Sequence, residues 1–186
     1  CSSDLIDALN ASTAVYGLKS ARHLKGAIDG VFRPESREIE IGKIVHALVE
    51  GQQLDLVTMP DFANDPKNCT ANGARSFSGG TQWAKKQKAK FQEENAGRTV
   101  VNESELERIQ AIYNALKSNS AAAAEMANSA HEVSVVSEID GVPVKARFDG
   151  LNGDRFWDVK TCRSCDVFDF GRNGTGLGYP FKFAFY

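Results

Sequence analysis

The sequence has few cysteines, few prolines and no long apolar run. Four cysteines without even spacing do not form a disulfide framework, so we expect a reduced, cytoplasmic protein. No apolar stretch approaches the ~20 residues that a helix needs to cross a bilayer, and we therefore expect no membrane association. The net charge of -2 excludes a uniformly basic nucleic-acid coat protein, although it is compatible with a local basic patch.

Hydrophobic residues make up 42% of the chain and charged residues 25%, which is typical of a folded globular protein and excludes a disordered one. A length of 186 residues is enough for one domain with its own core. We therefore predict a single domain over residues 1–186.

Helical spacing of apolar residues and capping signals predict helices in most of the chain before His131. The strongest helix signal is the amphipathic segment Arg37–Glu50, which is followed by Gly51, a residue that typically ends a helix. Residues 55–82 are rich in Asp, Asn, Gly, Pro and Ser and predict a long irregular excursion. The predicted helices are in Ser2–Gly30, Arg37–Glu50, Trp83–Glu94, a segment capped by Asn102 or Ser104, Ala121–Ala127 and the aromatic segment Gly178–Tyr186.

From His131 onwards the pattern alternates with period two and is rich in β-branched residues, which predicts three strands. Asp140-Gly141 is a strong signal for a two-residue hairpin turn, and Asn152-Gly153 separates the second strand from the third. We predict a three-stranded antiparallel meander. Its strands are Glu132–Ile139, Val142–Asp149 and Arg155–Thr161.

The Asp140-Gly141 turn fixes the register of the first hairpin. Val133 should face Phe148 on the buried side, and Glu132 should meet Asp149 on the other side. Opposed carboxylates on neighbouring strands repel each other, so a purely structural sheet would avoid or neutralise that pair.

The third strand should bring Asp158 and Lys160 to the same face as Asp149, because side chains two apart share a face. A four-residue turn places Asp158 directly beside Asp149, and a two-residue turn moves it by one pair. Trp157 should then point into the core with Phe148. Three carboxylates in a small area call for a cation, and hard oxygen ligands suit Mg²⁺ or Mn²⁺. A lysine at the edge can hold an anion or orient an attacking water.

Each of these patterns also has a purely structural interpretation. The carboxylates fit a solvated face of a sheet. His46, which shares a helix face with Gly42 and Glu50, fits an ordinary helix histidine. The lysines of the Trp83–Glu94 helix fit a solvated surface as well as a track for DNA phosphates.

Asp149 followed by Asp158-Val-Lys160 resembles the PD-(D/E)xK nuclease signature. Gly42-Lys-Ile-Val-His46 resembles the Gly-x-x-x-His helix of the RecB-like branch, and the remaining motifs follow in the same order up to Tyr186. From about Asn10 to Tyr186 the chain is most similar to the phage-type exodeoxyribonuclease VIII family.

The resemblance implies an α/β (α+β) fold with a restriction-endonuclease-like core, in which helices flank a central mixed sheet that contains the meander. It implies Mg²⁺-dependent hydrolysis of DNA phosphodiesters, with Mn²⁺ as a substitute, 5′ to 3′ from duplex ends in phage-type recombination. The implied partners are double-stranded DNA ends, a single-strand annealing protein and further copies of the chain in a ring.

The resemblance also implies roles for individual residues. Those implied as catalytic are Lys160, Asp149, Asp158 and Glu132. Those implied as metal ligands are His46, Asp149 and Asp158. Those expected to contact substrate are Tyr186, Lys182, Glu50, Lys86 and Lys90.

Two departures from the family pattern keep other functions open. Lys182 stands where the Gln-x-x-x-Tyr motif has glutamine, and we expect more helix and a further strand after Tyr186, so that the domain is truncated at its C-terminus. These features favour a nuclease-fold DNA-binding or accessory module as one alternative, and a structure-specific endonuclease is another. An iron–sulfur site on Cys1, Cys69, Cys162 and Cys165 is disfavoured, because the paired cysteines precede the tyrosine motif.

Overall fold

A computed structural model describes residues 7–32 and 35–186. Cys1, the first residues of the predicted helical segment Ser2–Gly30, and residues 33–34 lie outside the described residues. The elements, in chain order, are β1 (Leu9–Asn10), α1 (Ala11–Ala14), a 3₁₀ turn (Val15–Leu18), α2 (Ala21–Ile28), α3 (Arg37–Val49), β2 (Leu56–Thr58), α4 (Gln82–Glu94), β3 (Thr99–Val101), α5 (Glu103–Ser118), α6 (Ser120–Ala127), β4 (Ala130–Ile139), β5 (Val142–Asn152), β6 (Arg155–Trp157), α7 (Val167–Gly176) and α8 (Tyr179–Phe185).

The chain divides into two compact units. The first combines the described residues up to Gly42 with residues 121–186, and the second is formed by residues 43–120. Among the described helices, none is both long and apolar enough to span a membrane.

The first unit contains a mixed sheet in the order β1-β5-β4, with β6 on β5 as well. β1 runs parallel to β5, pairing Leu9 with Val144, whereas β4 and β6 are antiparallel to it. Ala11, Ile41 and Phe148 belong to the buried core of this unit. The predicted fold class is confirmed in its architecture: the chain has a mixed α/β fold, with a mixed sheet and flanking helices.

The predicted register of the first hairpin is confirmed. Ile139 pairs with Val142, and Val133 pairs with Phe148. Asp140 and Gly141 both have positive φ values, of 50° and 79°, as a two-residue turn of the I′ kind requires.

Glu132 departs from the predicted ladder. The pairing passes from His131 with Gly150 to Val133 with Phe148, and Glu132 itself has a left-handed φ of 55°. Its carboxylate forms an ion pair with Arg147, with Oε2 3.0 Å from Nε. The predicted pairing of Glu132 with Asp149 is therefore absent from the described ladder, and Arg147 neutralises a charge that would otherwise oppose a like charge.

The second hairpin follows the register predicted for the four-residue turn. Asn152 pairs with Arg155 and Gly150 pairs with Trp157, where β6 ends, so Asp158 is the first residue after the strand. Because Trp157 pairs with Gly150, it lies on the same face of the sheet as Phe148, as predicted, while Phe156 stacks on Phe148 with ring centroids 4.9 Å apart.

Trp157 lies over Gly150. A Cβ at position 150 would be 2.1 Å from Trp157 Cε2, so only glycine fits there. The indole Nε1 donates a hydrogen bond to Ser129 Oγ at 2.8 Å, and the ring meets His131 edge-on at 5.4 Å. This packing holds β6 against β5 and so fixes the start of the segment that carries Asp158.

The second unit has a two-stranded parallel sheet of β2 and β3 and a core that includes Val45, Ala84, Val101 and Ile109. The prediction of an irregular excursion over residues 55–82 is wrong for Leu56–Thr58, which form β2 by pairing with Thr99–Val101. A strand of three residues carries too little periodic signal to be recognised without its partner.

The rest of the excursion is organised around Asn68, whose side chain is fully buried. Its Nδ2 donates to the carbonyl oxygens of Ala63, Ser76 and Ser78 at 2.9, 3.0 and 3.1 Å. Its Oδ1 accepts a hydrogen bond from the Thr81 hydroxyl, which also caps α4. One amide thus fixes a loop that has little regular secondary structure.

Candidate active site

Asp149 is nearly buried on β5, with 9% of the residue exposed. Its Oδ2 accepts a hydrogen bond from the backbone N–H of Val159 at 2.6 Å. The carboxylate therefore ties the central strand to the segment that follows β6, where the other predicted catalytic residues lie.

Asp158 and Lys160 form an ion pair within that segment. The Asp158 side chain is 8% exposed and the Lys160 side chain is 30% exposed. Lys160 Nζ also donates to the carbonyl oxygen of Val159 at 3.3 Å. A second nearly buried carboxylate and an ammonium group are thus brought to the end of β6 where Asp149 is bound.

Tyr186, directly after α8, lies within the field of both carboxylates. Burial raises the pKa of its phenol, Asp158 and Asp149 raise it further, and Arg147 acts in the opposite direction. The ring packs edge-on against Phe148, with centroids 5.5 Å apart. The phenol is therefore kept protonated and can donate a hydrogen bond.

Lys182 on α8 adds a second ammonium group to this region. Burial lowers its pKa and the charge of Lys160 lowers it further, whereas Asp158 raises it. Its Nζ lies 5.7 Å from the centre of the Tyr179 ring. Two ammonium groups near each other repel, and an anion bound between them relieves this repulsion, so the pair favours anion binding.

Gly42, on α3, has a neighbouring segment close to its missing side chain. A Cβ there would lie 3.1 Å from Thr161 Oγ1, the residue after Lys160. The start of α3 and the segment that carries Lys160 are therefore in close contact.

The donor set of Asp149 and Asp158 fits a hard divalent cation, because Mg²⁺ in proteins is often held by one or two carboxylates together with waters and substrate phosphates. Within residues 7–32 and 35–186, no three His, Cys, Asp or Glu side chains form a group that could hold a metal ion. The expected cluster of three carboxylates is therefore not formed there, since Glu132 is paired with Arg147.

The other predicted site residues belong to the second unit. His46 and Glu50 are half-buried on and just after α3, and Glu50 accepts a hydrogen bond from Gln52 at 2.7 Å. Lys86 and Lys90 are exposed on α4, where Lys90 lies 3.6 Å from Glu94. Their roles toward metal and substrate stay predictions.

Two residues near the carboxylates were not assigned a role from the sequence. Arg147 could have been found, because it lies two residues before Asp149 on the same strand and hence shares its face. Tyr179 carries no local signal beyond its place in an aromatic segment, yet burial raises its pKa, and Asp158 and Cys162 contribute.

Asp149 within β5 and Asp158 and Lys160 just after β6 lie in one region of the mixed sheet, in the order of the PD-(D/E)xK signature. The family comparison agrees: residues 12–186 match the model of a PDDEXK-like domain of unknown function (DUF3799), and the chain belongs to that family. No curated protein and no solved structure matches the chain significantly.

Proposed function

We propose that the protein is a metal-dependent deoxyribonuclease that degrades duplex DNA from its ends, 5′ to 3′, in phage-type recombination in the cytoplasm. The observation that carries the proposal is the concentration of two nearly buried carboxylates and two lysines around the segment that follows β6. Mg²⁺ is the proposed cofactor, and Mn²⁺ is expected to replace it.

Asp149 and Asp158 are the residues proposed to hold the metal. When bound, such an ion screens the charge of the phosphodiester and lowers the pKa of a coordinated water. Asp149 is already oriented by the N–H of Val159, so little reorganisation of this side chain is needed.

The remaining side chains act on the phosphate itself. The Lys160 ammonium stabilises the negative charge that develops during cleavage. Lys182 binds a phosphate oxygen in place of the glutamine of the family pattern, and the protonated phenol of Tyr186 donates a hydrogen bond. Glu132 acts through Arg147 rather than on the substrate.

The finer resemblance to the RecB-like branch and to exodeoxyribonuclease VIII supports further parts of the proposal. On the basis of this resemblance, we propose that His46 joins the metal ligands and that Glu50, Lys86 and Lys90 contact DNA. The same resemblance supports a ring of identical subunits and cooperation with a single-strand annealing protein.

The test compares a linear duplex with a covalently closed circle of the same sequence, with Mg²⁺ or with a chelator. We expect nucleotides to be released only from the linear duplex and only with the metal, and a 5′ label to be lost before a 3′ label. Asp158→Ala should abolish the release. Full activity of that variant would refute the assignment of the site.

A second candidate, a DNA-binding or accessory module without catalysis, is favoured by Lys182 in place of glutamine and by the lack of a three-ligand group among the described residues. It predicts equal binding of duplex DNA with metal and with chelator, and no cleavage. A structure-specific endonuclease would instead cut a branched circle.

A further inference from the structure

Cys162 and Cys165 form a pair of thiols beside the candidate active site. Their Sγ atoms are 3.7 Å apart, and both cysteines are free. Cys162 is half-buried and follows Lys160 by two residues, whereas Cys165 is exposed and precedes Asp166, the N-cap of α7.

The geometry requires little movement for a bond between the two sulfurs. A disulfide has an S–S distance of about 2.05 Å, so the two sulfurs need to approach each other by only about 1.6 Å. Cysteines separated by two residues are also the spacing used by thiol–disulfide oxidoreductases.

The segment from Thr161 to Asp166, which contains both cysteines, is fixed at each end by contacts with other residues. On one side Thr161 lies against Gly42. On the other side Asp166 Oδ1 accepts hydrogen bonds from the N–H groups of Phe168 and Asp169 at 3.0 and 3.1 Å. A new bond between the cysteines would therefore form within a segment whose two ends are held by other contacts, next to Lys160.

We propose that Cys162 and Cys165 are a reversible modification site, which a low-molecular-weight disulfide such as oxidised glutathione converts into an intramolecular disulfide. The thiolate of Cys165 attacks one sulfur of the reagent, whose S–S bond breaks and releases one thiol. Cys162 then loses its proton and attacks Cys165 Sγ, which releases the second thiol. Two protein thiols are oxidised, and the reagent is reduced to two thiols.

The order of the two steps follows from accessibility. Cys165 is exposed, so a reagent in solution reaches it first. Burial raises the pKa of the Cys162 thiol and the neighbouring Cys165 raises it further, which makes Cys162 the poorer nucleophile toward the reagent. Proximity then favours its attack on the mixed disulfide.

The disulfide should also affect catalysis, and this part rests on the proposed nuclease function. Oxidation shortens the segment that directly follows Lys160. We expect the oxidised protein to cleave DNA several-fold more slowly than the reduced protein, and a reducing agent to restore the rate.

Peptide mapping of the wild-type chain tests the modification without any assay of activity. Trypsin cleaves after Lys160, Arg163 and Arg172, so it separates the two cysteines. After treatment with oxidised glutathione and blocking of free thiols, we expect residues 161–163 and 164–172 to remain joined by a disulfide. Reduction before digestion should release them as separate peptides.

Single variants supply the matched controls. Cys162→Ser should accumulate a stable glutathione adduct on Cys165, whereas Cys165→Ser should react more slowly. Unlinked peptides from the wild type, or adducts on both cysteines, would overturn the proposal, and so would a disulfide that leaves the cleavage rate unchanged. If neither redox state cleaves DNA, the proposed nuclease function fails, while the peptide map still decides whether the disulfide forms.

Discussion

Asn68 and Asp149 are two polar residues that the fold buries, and they differ in kind. Asn68, in the second unit, is neutral and has hydrogen-bond partners on both its nitrogen and its oxygen. Asp149, in the first unit, is a carboxylate that, together with Asp158, raises the pKa of the Tyr186 phenol. One buried group organises a loop, and the other brings charge into the protein.

The difference separates structural from chemical uses of a buried polar group. A buried amide with its hydrogen bonds satisfied costs little and specifies a loop conformation. Burying carboxylates costs much more, and such an arrangement is typical of a site where charge is needed for binding or catalysis. The two residues should therefore respond in opposite ways to substitution.

Asp149→Asn should give the largest effect and the clearest separation. The amide oxygen can still accept the hydrogen bond from Val159, so the melting temperature should change by no more than ~5 °C. Nuclease activity should fall roughly 10³-fold, because a carboxylate proposed to hold the metal is lost. Activity should be measured on linear duplex at saturating Mg²⁺. Retained cleavage by the folded variant would make Asp149 a structural residue like Asn68.

Lys160→Ala tests the charged site around Asp149 by removing an ammonium group in place of a carboxylate. We expect kcat and kcat/KM to fall together by roughly 10²–10³-fold, since the ammonium is proposed to act on charge that develops during cleavage. Lys25→Ala is the matched control, because Lys25 is 71% exposed and its ion pair is with nearby Asp29, at 2.5 Å. A rise in KM alone would assign Lys160 to ground-state binding.

Asn68→Ala tests the structural side. The variant removes the donor to three carbonyl oxygens and should lower the free energy of unfolding by about 3 kcal/mol. Denaturant titration measures this loss, and cleavage per folded molecule should stay near that of the wild type. Asn64→Ala, which removes an exposed amide bound to Asp61 at 2.5 Å, should cost less than ~0.5 kcal/mol. Equal losses would show that burial of Asn68 does not matter.

The exposed lysines of α4 sharpen the comparison at the surface. If Lys86 and Lys90 contact phosphates, the double alanine variant should bind duplex DNA more weakly, and its dependence of log K on log salt should be shallower by roughly 2. The measurement is a salt titration of binding in the absence of divalent metal. Lys117→Ala is the control, since that ammonium lies 5.8 Å from the Tyr113 ring on α5. An unchanged slope would leave α4 a solvated surface.

The smallest effect concerns the neutral phenol of Tyr186. Its pKa is raised in the folded chain, so the unfolded chain loses the proton first as the pH rises past about 10. The stability from the neutral phenol is complete below that pH and is lost as the pH rises through the folded pKa. Tyr186→Phe should therefore lose less stability than the wild type between pH 9 and pH 11, by of order 1 °C in melting temperature. Parallel curves would place Tyr186 outside the field of the carboxylates.

The sheet around the site was largely predictable because its signals are local. The Asp140-Gly141 turn and the alternation on either side set the pairing of β4 with β5 without any information from distant residues. The same holds for α3, for Gly51 with its φ of 76°, and for the capping box of Asn102 and Glu105 at the start of α5.

The features that escaped prediction depend on distant partners. β1 and β2 have two and three residues and exist because each pairs with a strand far along the chain. The left-handed backbone at Glu132 and its ion pair with Arg147 on the neighbouring strand are likewise not encoded by the alternation of the strand.

The contact of Gly42 with Thr161 has a consequence for how the sequence can drift. A Cβ at position 42 would lie 3.1 Å from the Thr161 hydroxyl, so a larger residue at position 42 should be accompanied by an adjustment at position 161. Such paired changes would leave a statistical trace that links a helix glycine to the residue directly after Lys160.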